Sequence, residues 1–201
     1  MLKVGLTGGL ATGKTFVGRA FEEMGCFLIQ ADQLGHDVIA PGGESYDAVV
    51  REFGDGILDA SGGVDRRALA ARVFADAERL AVLNRLVHPP VVRREEALMA
   101  GFSARDPHGI AVVEAAILIE TGSYRRFDRL VLVTCRDEQQ VERAMRRSGA
   151  VEADVRARIG RQMPLEEKRK FADFVIDTSG EKSETLKQTR EVFEELRRIE
   201  S

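Results

Sequence analysis

The sequence has 201 residues, enough for one hydrophobic core or one core with a small appendage. A hydrophobic share of 44% and a charged share of 31% suit a water-soluble globular chain, no apolar run approaches the ~20 residues that span a bilayer, and Met1 leads straight into an apolar segment without a leader-like stretch, so a cytoplasmic protein is expected. A net charge of −3 offers no basic field for nucleic acid, and Cys26 and Cys135, with no close Cys or His neighbours, read as small buried residues rather than metal ligands.

Leu2 to Thr7 is a short apolar run that reads as a buried strand. It leads into Gly8-Gly9-Leu10-Ala11-Thr12-Gly13-Lys14-Thr15, which fits G-x-x-x-x-G-K-[ST], and then into Phe16, Val17, Ala20, Phe21 and Met24 at helical spacing. Strand, glycine-rich turn and helix start together make a phosphate cradle: backbone N–H groups point inward and the helix dipole favours negative charge. The expected nucleotide-binding residues are therefore Gly9, Leu10, Ala11, Thr12, Gly13, Lys14, Thr15 and Phe16. Lys14 would reach the β- and γ-phosphates and Thr15 would bind Mg²⁺.

Cys26 to Gln30 reads as a second strand, with Asp32 where it gives way to a helix over residues 33–40. A carboxylate at that edge can accept or orient the proton of an attacking hydroxyl, or it can cap the helix; the residues alone leave both open. Gly54-Asp55-Gly56 and Ser61-Gly62-Gly63 then break the chain. Beyond them Leu69, Arg72-Val73-Phe74 and Leu80 to Leu83 mark short helices that lead to His88-Pro89-Pro90, and a further helical stretch runs to about Phe102. His88 by itself reads as a helix-terminus residue before proline.

Three further strands are expected at Ile110 to Ile119, Arg129 to Cys135 and Asp173 to Asp177. Between the last two, arginines and lysines from Arg136 to Lys170, Lys168 among them, crowd two or three helices interleaved with glutamates, mostly a solvated surface. Gln140, Arg143 and Arg147 share one helical face there, which could close over a triphosphate as a lid. Strands alternating with helices predict an α/β fold: a parallel five-stranded sheet with helices on both faces, a helical insertion and a helical lid.

Several elements in this order resemble dephospho-coenzyme A kinase, within the P-loop kinases: Leu6-Thr7-Gly8-Gly9, Ala31-Asp32 with His36, Arg66-Arg67-Ala68-Leu69, His88-Pro89, Leu118-Ile119-Glu120, Gln140 with Arg143 and Arg147, Arg158 with Gln162, and Ala172-Asp173-Phe174-Val175-Ile176-Asp177 with Gly180. The resemblance implies transfer of a phosphoryl group from ATP, with Mg²⁺, to the ribose 3′-hydroxyl of dephospho-coenzyme A, the last step in making coenzyme A. It implies Asp32 as the base that meets the hydroxyl, with Lys14 and Arg143 as its catalytic partners. It also implies His88 and Glu120 in acceptor binding, Thr178 beside the nucleotide, and Glu114 as an acidic residue near Mg²⁺; read as residues, Glu114 is equally a satisfied strand-edge carboxylate and Glu120 a turn residue. The division expected is a nucleotide-binding core of residues 1–60, 104–135 and 171–201, an acceptor insertion of residues 61–103, and a lid of residues 136–170.

Three positions depart from the family pattern. Gln30 stands where the family commonly has Asp, Ala11 replaces a loop glycine and so should avoid positive φ, and Thr178 replaces the usual Asn. A nucleotide-dependent switch is the reading from another class, but Asp32-Gln33-Leu34-Gly35 and Asp177-Thr178-Ser179-Gly180 fit D-x-x-G at unsuitable places and no Asn-Lys-x-Asp string occurs. Another small-molecule or nucleoside monophosphate kinase would share the fold, and only the acceptor insertion separates it.

Overall fold

The computed structural model describes residues 1–73 and 76–200; Phe74, read as part of the insertion, and Ser201, the last residue of the expected core, lie outside the described residues. The chain divides into two compact units, residues 1–30 with 101–201, and residues 31–100.

In the first unit five strands, β1 (Leu2–Gly8), β2 (Phe27–Gln30), β3 (Ile110–Glu114), β4 (Arg129–Thr134) and β5 (Phe174–Asp177), form one sheet in the order β2-β3-β1-β4-β5. All neighbouring pairs are parallel. Alternation sorts the side chains: Leu2, Val4, Leu6, Ile110, Val112, Val131, Val133 and Ile176 share one buried cluster. That face is covered by Val17 and Phe21 of α1 (Lys14–Glu23) and by Val192 and Leu196 of α9 (Lys182–Glu200), a helix the sequence reading did not anticipate. β3 ends at Glu114 rather than Ile119: the Ala115 amide still bonds the Leu6 carbonyl, but Thr121 N donates to Ile117 O, a turn made of apolar residues. Cys26 and Cys135 are buried free thiols; burial pushes Cys26 up to about 12 and raises Cys135, so both stay protonated at neutral pH, as small core residues should.

The second unit holds α2 (Ala31–Val38), α3 (Tyr46–Phe53), α4 (Arg66–Val73) and most of α5 (Ala77–Arg105), built around Val38, Val49, Phe53, Ile57, Leu69 and Val73. Aspartates start the later two: Asp65 Oδ1 accepts the Arg67 amide at 2.8 Å, and Asp76 Oδ1 accepts the Glu78 amide at 2.9 Å. Pro89 and Pro90 do not break the chain, since α5 runs through both, and His88 therefore lies inside a helix rather than at its end. Pro90 cannot donate to the Leu86 carbonyl one turn back. The hydroxyl of buried Ser45 donates to that oxygen instead, at 2.7 Å. Ser45→Ala is expected to lower stability by about 1–2 kcal/mol, because a carbonyl inside the unit loses its donor; a melting temperature equal to wild type would refute this compensation.

His36 and His88, both half-buried in this unit, have pKa values below the ordinary 6.5, each chiefly through burial, with Arg66 beside His36 adding to the effect. Below about pH 6.5 the unfolded chain takes up protons that the folded chain resists, so stability is full above that pH and declines as acid is added. Thermal melts of wild type and His88→Gln between about pH 7.5 and 5 check this. The variant should show a shallower acid loss, and parallel curves would refute it.

Candidate functional site

The C-terminal ends of the strands are where a parallel sheet binds ligands, at the point where connections leave adjacent strands in opposite directions. Here that point lies between β1, whose chain goes on to β2, and β3, whose chain goes on to β4. The loop after β1 occupies it. Gly13, at φ 91°, turns the chain into α1, and the Phe16 and Val17 amides bond back to its carbonyl. At Gly9 a Cβ would fall 2.4 Å from the Gln140 amide nitrogen, so a side chain there would displace the buried Gln140 amide. Ala11 lies at φ 57°, contrary to the expectation that an alanine there avoids the left-handed region. That conformation costs roughly 1–2 kcal/mol in a non-glycine residue. Packing beside Leu10 against Val141, Ala144 and Val155 offsets part of it.

Lys14 Nζ reaches back to donate to the Gly9 carbonyl at 2.8 Å, and the Thr12 hydroxyl donates to the same oxygen at 3.1 Å. Thr15 Oγ1 donates to Glu114 Oε1 at 2.7 Å. Glu114 is buried at the end of β3 in register with Leu6 of β1 and Gln30 of β2, and Gln30 Nε2 donates to its Oε2 at 3.2 Å. Gln30, which stands where the family commonly has Asp, thus sets a neutral amide beside the Glu114 carboxylate. Among the described residues no group of three or more His, Cys, Asp or Glu side chains could hold a metal by itself. One hydroxyl and one carboxylate beside a phosphate-binding loop nevertheless fit Mg²⁺, which commonly takes one or two protein carboxylates, water and substrate phosphates.

Thr178, just past β5, ties three elements together. Its hydroxyl donates to the Thr12 and Thr134 carbonyls at 2.8 and 3.1 Å, and both its hydroxyl and its carbonyl accept from the Arg143 guanidinium, at 2.9 and 2.7 Å. Arg143, on α6 (Asp137–Ser148), is half-buried, Gln140 one turn earlier is buried, and Arg147 is exposed. A cleft of about 650 Å³ opens beside these residues, lined by Gly9, Arg136, Gln140, Arg156, Gln162 and Arg169 among others. Those three arginines share the lining with Asp137, Glu166 and Asp177, so acidic and basic side chains balance there.

Glu120, in the turn after β3, accepts the Met163 amide at 3.1 Å and pairs with Lys168 at 2.9 Å. Lys168, on α8 (Leu165–Arg169), is fully buried, although the sequence placed it in a run of solvated charge. Nothing in its immediate sequence marks it as different from Lys170, which is exposed. Gln162, between α7 (Glu152–Ile159) and α8, accepts the Leu10 amide at 2.8 Å.

The first unit thus brings Lys14, Thr15, Glu114, Arg143 and Thr178 to one edge of the sheet. In the second unit Asp32 is exposed within the first turn of α2, which begins at Ala31, so it is not the N-cap that a helix starting at Gln33 would have made it. His36, one turn on, bonds the Arg66 guanidinium, and His88 sits half-buried within α5. Among the described residues no helix is long and apolar enough to cross a membrane.

Residues 2–184 match the family model for dephospho-CoA kinase. Curated relatives of that name include one from Aquifex aeolicus, 40% identical over 98% of this chain and 99% of its own length, and one from Geobacter sulfurreducens, 37% identical over 94% and 96%. A crystal structure from Thermus thermophilus is 33% identical, covers 97% of each chain and superposes with a TM-score of 0.80. The dephospho-CoA kinase of Campylobacter jejuni, at 22% identity over 99% of this chain and 98% of its own, shares the fold with a TM-score of 0.69.

Proposed function

The chain belongs to the dephospho-CoA kinase family, phosphotransferases for which ATP is the implied donor, and from that premise we propose how its residues move the γ-phosphoryl group to the ribose 3′-hydroxyl of dephospho-coenzyme A. The observation that carries the reading is the phosphate loop at the β1/β3 switch point with Thr15 bonded to Glu114. The loop amides from Gly9 to Phe16 cradle the phosphates. Lys14 exchanges the Gly9 carbonyl for phosphate oxygens, and Thr15 and Glu114 are the residues that would hold Mg²⁺. The chemistry a cation held there would supply is neutralisation of charge on the phosphates.

Arg143, oriented by both oxygens of Thr178, supplies a planar fork for charge that develops on the transferring group. Asp32 orients the acceptor hydroxyl and takes its proton. His88, kept neutral by burial, and Glu120, with its carboxylate aligned by Lys168 and the Met163 amide, bind the rest of the acceptor. Transfer of this kind asks mainly for positioning and charge stabilisation.

A coupled assay of ADP release tests the acceptor, with dephospho-coenzyme A, adenosine, AMP, CMP and shikimate compared. Release should be fastest by far with dephospho-coenzyme A, and equal rates with AMP or CMP would overturn the assignment. Arg143→Lys tests the fork. An ammonium lacks the planar fork, so kcat should fall more than KM for the acceptor rises; a wild-type kcat would return Arg143 to the surface.

A further inference from the structure

A buried ammonium is costly unless fully partnered, and the three donors of Lys168 meet three acceptors: the Ala116 carbonyl at 2.8 Å, Glu120 Oε1 at 2.9 Å and, more loosely, the Gly8 carbonyl at 3.4 Å. Those acceptors are not scattered through a core. Gly8 is the last residue of β1 and opens the phosphate loop, and Ala116 lies two residues past the end of β3, so the ammonium joins the chain leaving the two strands of the switch point. The next two loop residues are braced from the same stretch of chain. Gly9 packs against the Gln140 amide, and the Leu10 amide is bonded by Gln162. Glu120 closes the arrangement, because the oxygen that meets Lys168 also accepts the amide of Met163, next to Gln162.

We propose that Lys168, anchored by Glu120, is a positioning residue for the phosphate loop: its ammonium fixes the Gly8 and Ala116 carbonyls and so presets the loop amides for a nucleoside polyphosphate. The segment expected to act as a lid thereby also sets the floor of the nucleotide site. This rests on reading the loop as that site. Removing the charge takes this donor from the Gly8 carbonyl, leaves the Ala116 carbonyl with the longer Thr7 hydroxyl bond at 3.3 Å, and frees the start of the loop to drift, which weakens polyphosphate binding even where the fold survives.

Calorimetric titration with ADP, run well below the melting temperature, tests this on wild type, Lys168→Met and the double variant Lys168→Met/Glu120→Gln. Lys168→Met should bind ADP about tenfold more weakly or worse, since charge-assisted contacts that preset the loop are gone. It should also melt lower, because the Glu120 carboxylate is left without its cation. Adding Glu120→Gln removes that stranded charge and should restore part of the melting temperature without restoring ADP affinity, a separation that a merely structural lysine would not produce. Wild-type affinity in either variant, or affinity that recovers together with the melting temperature, would overturn the proposal; the double variant serves where Lys168→Met alone does not fold. Failure of the wild-type protein to bind ADP would instead strike the reading of the loop, and this inference with it.

Discussion

Asp32→Asn is expected to give a folded protein of near-normal melting temperature that binds ATP but turns over at least about a hundredfold more slowly, the lower end of what a positioned acid–base group contributes. The structure makes stability and catalysis separable here. Asp32 is exposed in the first turn of α2 and does not cap it, so the fold loses only a favourable charge near a helix N-terminus, about 0.3–1 kcal/mol. Asparagine keeps the size and one acceptor oxygen of the side chain but cannot take a proton. With a loose transition state the hydroxyl loses its proton late, so part of the loss reflects orientation. Steady-state kcat with dephospho-coenzyme A decides it, and near-normal turnover would remove Asp32 from the mechanism.

Lys14→Ala should weaken ATP binding or slow transfer by at least about tenfold, equivalent to about 1.4 kcal/mol. The ammonium already lies over the loop, donating to the Gly9 carbonyl, so little reorganisation stands between that contact and a phosphate oxygen. Alanine removes the charge while the Gly13 turn and the start of α1 remain. Unchanged kinetics in a folded variant would refute the role.

The sheet was legible because each strand is a short apolar run between breakers, and the phosphate loop because its glycines and lysine recur at fixed spacing. The third strand was read too long since Ala115 to Ile119 are apolar for a different reason, the burial of a turn, and hydrophobicity does not distinguish the two. α9 was missed because its inward stripe includes Thr185 and Thr189. Both are buried with hydroxyls bonded to carbonyls one turn back, so two of its core positions are written in polar letters. Pro89-Pro90 looked like a stop, but α5 runs on, and Ser45, more than forty residues earlier, supplies a donor to the Leu86 carbonyl that Pro90 cannot. Lys168 was hidden for the same reason: burial of a charge is decided by partners distant in sequence, here Gly8, Ala116 and Glu120. Thr15, Lys14 and Glu114 lie where the strand pattern put them, whereas the bonds of Arg143 to Thr178 depend on the meeting of α6 with the end of β5.

The strand order also bears on how the chain reaches this state. β1 is made before the other four strands but lies at the centre, and Leu2 waits for Ile110 and Val4 for Arg129 before either edge is paired. Closing so long a stretch is entropically slow, and an unpaired apolar strand invites wrong partners meanwhile. During synthesis the phosphate loop therefore has no fixed shape until β3 and β4 have emerged, and α9, made after all five strands, joins α1 in sealing the core over β1. A ribosome-bound chain ending before residue 134 should bind chaperones before it binds nucleotide.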